Sequence, residues 1–295
     1  MPFAKSLKNL WYRLETAALR VAIILFRLIP VDIASAVMGR LWRFFAPLNS
    51  RHQRALQHLE AALPQTTAEE REQIVRGMWE NLGRVAAETF HIAELLPQDD
   101  RFVAIADETT KRVLAGKQQA VFVSFHSGNW EMCVQPAVRA GLDLAGVYQA
   151  LKNPFADAAL RDMRKDLYRL GLFSKSHETA RKLVRIVREG GVLAIMGDLR
   201  ETRGIKVPFF GRPAYANPVP ATLARSGGVP IILGRVIRTK GVHFAIEGRA
   251  IEVPVTDDRK ADIQAVTEEI HRVFEEWIRE HPEQWMWIHR KWAKA

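Results

Sequence analysis

The stretch "AVFVSFHSGNWEM", residues 120–132, decides the fold. Ala120 to Phe125 is apolar except for Ser124, the length and character of a strand buried on both faces. His126 then stands at the strand's carboxyl end. Ser127-Gly128-Asn129 supplies a turn, and Gly128 permits close backbone approach. A helix is expected over 129–140, which puts Glu131 in its first turn, where a carboxylate suits the helix dipole. In open α/β sheets ligands bind beyond the carboxyl ends of the strands, so His126 is placed where chemistry occurs. The turn can bring Glu131 to His126, and a carboxylate bonded to imidazole orients it and raises its basicity. The nucleophile can then be a substrate hydroxyl. N–H groups at the helix start, with Asn129 beside them, are candidates to steady an oxyanion. Taken alone, His-x4-Glu more often marks a helix-capping His and a surface Glu.

Outward from this stretch the pattern repeats. Strand-like runs occur at 120–125, 144–150, 192–198 and 229–237, with a strand or strand pair over 242–253. Helical patterns fall at 129–140, 156–170, 178–189 and 217–227, with a longer one over 258–281. The alternation predicts an α/β domain with a central, mostly parallel sheet flanked by helices. Residues 52–96 read as helices, and Thr67 with Glu70 three positions later is a capping-box pattern. No internal repeat or low-complexity linker interrupts the chain. We divide it into a helical N-terminal segment, 1–50, amphipathic or membrane-anchoring, and a catalytic domain, 51–295.

Composition narrows the function. The single cysteine, Cys133, excludes an intrachain disulfide framework and a thiolate metal cluster. It fits a cytosolic or cytosol-facing location. The formal charge of +10, from 43 Lys and Arg against 33 Asp and Glu, points to an anionic partner. No nucleic-acid motif accompanies it, so no nucleic-acid partner is expected. Arg161, Arg164, Lys165 and Arg169 cluster on a predicted helix, either as a solvated face or as a docking face for phosphate or a carrier protein.

The segment "LWYRLETAALRVAIILFRLIPVDIASAVMGRLWRFF", residues 10–45, contains no apolar run of membrane-spanning length. Arg13, Arg20 and Arg27 are spaced by seven and share one helix face, since a heptad step drifts only about 20°. The expectation is an amphipathic helix lying in a membrane interface. A tilted spanning helix and a soluble helix packed on the body are the alternatives. A secretory signal is rejected because Arg20 and Arg27 break its apolar stretch.

"FHSGNWEM" resembles the His-x4-Glu block of the lipid A biosynthesis (lauroyl/myristoyl) acyltransferases. "MWENLGRVAAE" (78–88), "YQALKNPFADAALRDMRKDLYRLG" (148–171), "IMGDLR" (195–200), "VPFFGRPA" (207–214), "ATLARSGG" (221–228) and "HPEQWMWIHRKW" (281–292) follow in that family's order. The resemblance implies transfer of a fatty acyl chain to a hydroxyl of a lipid A precursor. The donor would be an acyl carrier protein thioester, used without a cofactor or metal. It implies work at the cytoplasmic face of the bacterial inner membrane. His126 would be the general base, with Glu131 orienting it. Arg164 falls in the block where the family places a functional Arg, and Asp198 matches the Asp of its Asp-Gln pair. Leu199 stands where Gln is usual, and Gln149 where Arg is usual after the Tyr, which puts the precise acceptor in question. Another membrane acceptor, a phospholipid or mannosylated lipid, is the rival within the enzyme class. A non-catalytic basic membrane-binding protein is the rival outside it.

Overall fold

The computed structural model describes residues 2–174 and 177–292. Four helices open the chain: α1 (Pro2–Arg27), α2 (Val31–Phe45), α3 (Ser50–Ala62) and α4 (Ala68–Thr89), with a single turn, α5 (Ile92–Leu95), after them. The capping box forms as read: Glu70 N–H donates to Thr67 Oγ1 at 3.2 Å, and Thr67 N–H to Glu70 Oε2 at 2.7 Å.

The α/β body follows. Strand β1 (Phe102–Ala106) leads to α6 (Glu108–Leu114), β2 (Val121–Ser124), α7 (Gln135–Arg139) and β3 (Leu144–Tyr148). Then come α8 (Pro154–Asp162), β4 (Gly171–Ser174), α9 (His177–Arg188) and β5 (Val192–Met196). A hairpin, β6 (Ile205–Phe209) and β7 (Arg212–Ala216), precedes α10 (Val219–Gly227). The chain ends with β8 (Ile231–Lys240), β9 (His243–Ile251) and α11 (Arg259–Glu280). The main sheet has the order β1-β9-β8-β2-β5-β3-β4. Strands β8, β2, β5, β3 and β4 are mutually parallel, and β9 is antiparallel to β8. The mostly parallel α/β sheet expected from the sequence is therefore present.

Two local expectations differ. The helix expected over 129–140 is a 3-10 helix, Trp130–Val134, followed by α7. Pro136, with no N–H to donate, sits in the first turn of a new helix that starts at Gln135, where the missing donor costs nothing. The helix expected over 156–170 stops at Asp162. The chain beyond turns so that Leu167 is buried, and Leu170 N–H reaches the Leu144 carbonyl at 2.9 Å, which draws 171–174 onto β3 as an edge strand. Of the strand or strand pair expected over 242–253, a single strand forms, and its antiparallel register with β8 gives the sheet its reversed edge.

Helix α2 seats closely on α4. A Cβ at Gly83 would lie 2.6 Å from the Met38 carbonyl, so only glycine lets the backbones approach. Trp42 packs on Trp79, ring centroids 6.3 Å apart. Helix α1 crosses α8, where Asn153 Nδ2 donates to the Tyr12 carbonyl at 2.9 Å and Arg13 stacks on Phe155. Arg27 Nε donates to the Phe90 carbonyl at 2.9 Å. Arg13 and Arg27 thus tie α1 to the body while remaining exposed to solvent at its flank. The outward face is apolar: Leu10, Leu14, Val21, Ile24 and Leu28 are all more than half exposed. Helix α2 continues it with Ile33, Val37, Leu41 and Phe44. No described helix is long and apolar enough to cross a membrane.

Candidate active site

Strands β2 and β5 are parallel neighbours with Ser124 opposite Met196. Two residues beyond each, at the same carboxyl edge, stand His126 and Asp198. Asp198 Oδ1 accepts from His126 Nδ1 at 2.8 Å, and Oδ2 accepts from the His126 backbone N–H and from Trp285 Nε1, each at 3.0 Å. An ionised carboxylate only accepts, so Nδ1 carries the ring proton and Nε2 keeps its lone pair. Asp198 is 3% exposed. Burial alone would raise its carboxyl, but the imidazole charge and these three donors outweigh that and hold it well below the carboxylate range. Burial likewise opposes an imidazolium at His126. The charge and hydrogen bond of Asp198, with Glu131 beyond, outweigh it and raise the His126 pKa above its ordinary value.

The partner expected for His126 was Glu131. Instead Glu131 accepts both arms of Arg164, Oε2 from Nε at 2.8 Å and Oε1 from Nη2 at 2.6 Å. The 3-10 start aims Glu131 away along the sheet edge, and Asp198, one strand over, takes the orienting position. Glu131 and Arg164 remain in the site as a part-buried, bidentate pair, the strong form of such contacts. Asn129 does not face substrate. It is fully buried, donates Nδ2 to Glu88 Oε2 at 2.7 Å, and accepts the Glu131 N–H at 3.2 Å. The Met132 N–H is spent on the Asn129 carbonyl and that of Gly128 on the Gln284 carbonyl, so these helix-start donors are not free for an oxyanion.

Beneath the loop lies a network that sequence reasoning missed. Glu88, fully buried, accepts from Ser35 Oγ at 2.6 Å, from Asn129, and from both Arg238 Nη atoms at 2.6 and 2.9 Å. Arg238 Nε also donates to Asn81 Oδ1, and Asn81 Nδ2 to the Gly128 carbonyl, both at 2.9 Å. One ion pair thus ties α2, α4, β8 and the His126 loop together, and a charge this deep persists only because it is matched. The legible signal was Glu88 itself, an acid at core spacing from Met78 and Val85. Gly128 sits at φ +56°, where a Cβ would lie 2.1 Å from the Val236 carbonyl, so the turn needs glycine.

Behind Asp198, Lys291 is fully buried and donates to His271 Nε2 at 2.8 Å, while His271 Nδ1 donates to the Thr267 carbonyl. Burial, with Lys291 beside it, pushes His271 down to about 3, and burial pushes Lys291 down to about 8 against the pull of Asp198. Trp285, Trp287 and Trp292 are buried against Phe209 and Phe210, so the tryptophans pack the C-terminal tail and the phenylalanine pair is core.

Three openings are lined by Trp130, whose ring centroid lies 5.1 Å from that of His126. A cleft of about 840 Å³ runs between α2 and α4, with Trp42, Phe45 and Leu82 on its walls and Glu131 and Arg164 within. A second cleft, about 280 Å³, is lined by His126, Tyr148, Gln149 and Leu199. A narrow apolar cavity of about 80 Å³ crosses one sheet face over Phe122, Ala194, Ile232 and Gly234. The expected 161–169 docking face is largely self-neutralised: Arg164 is held by Glu131, Lys165 lies 3.5 Å from Asp162, and Arg169 3.9 Å from Asp143. Among the described residues no cluster of His, Cys, Asp and Glu is arranged to hold a metal ion.

A parallel sheet with a carboxylate-held histidine at its edge, opening onto apolar clefts, has the layout of an α/β transferase with lipid-like substrates. Residues 1–294 match the model of the bacterial lipid A biosynthesis acyltransferase family, and the chain belongs to that family. Its chemistry is therefore acyl transfer. The phosphatidylinositol mannoside acyltransferase of Mycobacterium tuberculosis (strain CDC 1551 / Oshkosh) is 27% identical over 224 residues, covering 72% of this chain and 68% of that protein. The same protein from strain ATCC 25618 / H37Rv aligns equally. The crystal structure of the 1-acyl-sn-glycerophosphate acyltransferase PlsC from Thermotoga maritima superposes with a TM-score of 0.39 at 12% identity, over 89% of this chain and all of that one.

Proposed function

We propose that the protein transfers a fatty acyl chain from an acyl carrier protein thioester to a hydroxyl of a membrane glycolipid, with His126 as general base. The observation that carries this is the His126–Asp198 pair, with Nε2 left free beside the openings that Trp130 lines. As the acceptor oxygen attacks the thioester carbonyl, Nε2 takes its proton. When the tetrahedral intermediate collapses, the C–S bond breaks and the imidazolium returns that proton to the leaving sulfur, giving an ester and a thiol. The apolar sheet cavity, at about 80 Å³, has room for only a few methylenes of an acyl chain, and the α2–α4 cleft, walled by a helix with an outward apolar face, suits the acceptor. Arg164, held by Glu131, supplies a cation between the two clefts. The outward faces of α1 and α2 suit the cytoplasmic leaflet of an inner membrane.

The family match supports a lipid A precursor as acceptor. The mycobacterial relatives favour a mannosylated lipid as the second reading, and Gln149 and Leu199, the two departures from the family pattern, both line the cleft at His126. Purified protein in detergent with a lauroyl carrier-protein thioester should release thiol only when glycolipid is added. Mass spectrometry should find that lipid heavier by one acyl group. Equal release without lipid would make the protein a thioesterase and sink this reading. Membrane seating has its own check: Ile24→Glu with Leu28→Glu should release the protein from floated anionic vesicles, and unchanged flotation would count against these faces.

A further inference from the structure

One corner of the molecule carries arginines with no acid opposite them. Arg51 and Arg54 lie at the start of α3, which has no acidic residue in its first turn, although acids are what the helix dipole favours there. The C-terminal tail packs on α3, with Arg54 Nη1 donating to the Ile288 carbonyl at 3.3 Å and His58 Nδ1 to the Trp287 carbonyl at 2.8 Å. Arg290 stands on that tail, and Arg212, at the start of β7, stacks on Trp292 at 5.4 Å. Among the described residues none of the four is in an ion pair, and the Arg51 and Arg290 side chains make no hydrogen bond. Two histidines register the field. His58 is lowered by burial first, then by Arg54, Arg212 and Arg290. His289, whose ring is 5.8 Å from His126, is lowered by burial, by His126, and by Arg51 and Arg54. His289 Nε2 is buried without a partner. The contrast with 161–169, where Arg164, Lys165 and Arg169 each have an acid beside them, is direct.

We propose that Arg51, Arg54 and Arg290, with Arg212 beside them, bind a phosphate group of the acceptor lipid at the mouth of the α2–α4 cleft. Guanidinium forks match phosphate oxygens in pairs. Arg51 lines the α2–α4 cleft and neither of the other two openings, which separates the corner from the donor side. The cleft's apolar walls fit lipid chains, whereas an acidic protein surface would meet no such groove. The inference rests on the acyl-transfer reading for the word acceptor, but its test is binding and does not depend on turnover.

The probe is dihexanoyl phosphatidylglycerol below its micelle concentration, titrated calorimetrically into the full chain in detergent, with dihexanoylglycerol as the phosphate-free control. The wild type should bind the phospholipid in a salt-sensitive way and the control lipid more weakly. Arg51→Gln with Arg54→Gln should weaken phospholipid binding about tenfold or more, as for loss of charge-assisted contacts. Lys165→Gln with Arg169→Gln should leave it unchanged. If the first double variant melts early, Arg290→Gln, exposed on the tail, carries the same expectation. Coenzyme A and holo acyl carrier protein should bind all variants as they bind the wild type. Phospholipid binding indifferent to the arginines would overturn the proposal. So would loss confined to coenzyme A, which would move the phosphate to the donor, or loss confined to the carrier protein, which would make the corner a protein dock. Binding as expected without any acyl transfer would leave the corner standing and fail the functional reading instead.

Discussion

Replacing His126 with alanine is expected to lower kcat by about 10²–10⁴-fold, the usual contribution of a positioned general base. A lipid hydroxyl is a poor nucleophile at neutral pH, and Nε2 of His126 is unspent and placed at the cleft to take its proton. The fold should survive, because the ring is an edge group whose one side-chain hydrogen bond is to Asp198. Steady-state acyl transfer with a thermal melt as control measures both. A well-folded His126→Ala enzyme turning over at near-normal rate would remove His126 from the mechanism.

Asp198→Asn should be nearly as damaging, on the order of 10³–10⁴-fold in kcat, as when a histidine's orienting carboxylate becomes an amide. The amide can donate to Nδ1, which moves the ring proton to Nε2 and leaves the base without its lone pair. The change also strips the negative charge that stabilises the imidazolium formed in the first step. Trp285 Nε1 and the His126 N–H would still find an oxygen, so binding of both substrates should change little. Combined with His126→Ala, the loss should fall far short of the product of the two, since the pair acts as a unit. A multiplicative loss would mean that the two residues serve separate steps.

Much of the fold was legible because it rests on local pattern. The apolar runs at 120–125 and 192–198 are buried strands of a parallel sheet, and a Thr67–Glu70 box is decided within one turn. What was not legible depends on distant partners. Residues 171–174 become a strand because β3 offers an open edge, and 163–170 leave the helical path to reach it. The heptad of Arg13, Arg20 and Arg27 marked one helix face correctly, but a periodicity cannot say whether that face meets protein or lipid. In the candidate site His126 and Asp198 were both singled out, yet their pairing required knowing that β2 and β5 are neighbours. Glu131, five residues from His126, was the nearer choice along the chain. Its true partner, Arg164, comes from the turn after α8. Glu88 and Arg238, 150 positions apart, show the same limit for the network under the loop.

The central claim is that Asp198 governs the basicity of His126 and that Glu131 acts on it only from a distance. The measurement is the pH dependence of kcat/KM for the wild type, Asp198→Asn and Glu131→Gln, followed on the acid side. The base must be unprotonated to act, and its pKa is raised in the folded enzyme, so wild-type activity should climb with pH through a value above that of an ordinary histidine. Removing the Asp198 charge should carry the residual activity's acid limb clearly to lower pH. Glu131→Gln should move it in the same direction but by less, because Glu131 acts on the imidazolium through its charge alone. An acid limb that moves further in Glu131→Gln than in Asp198→Asn would contradict the account and return Glu131 to the place beside His126.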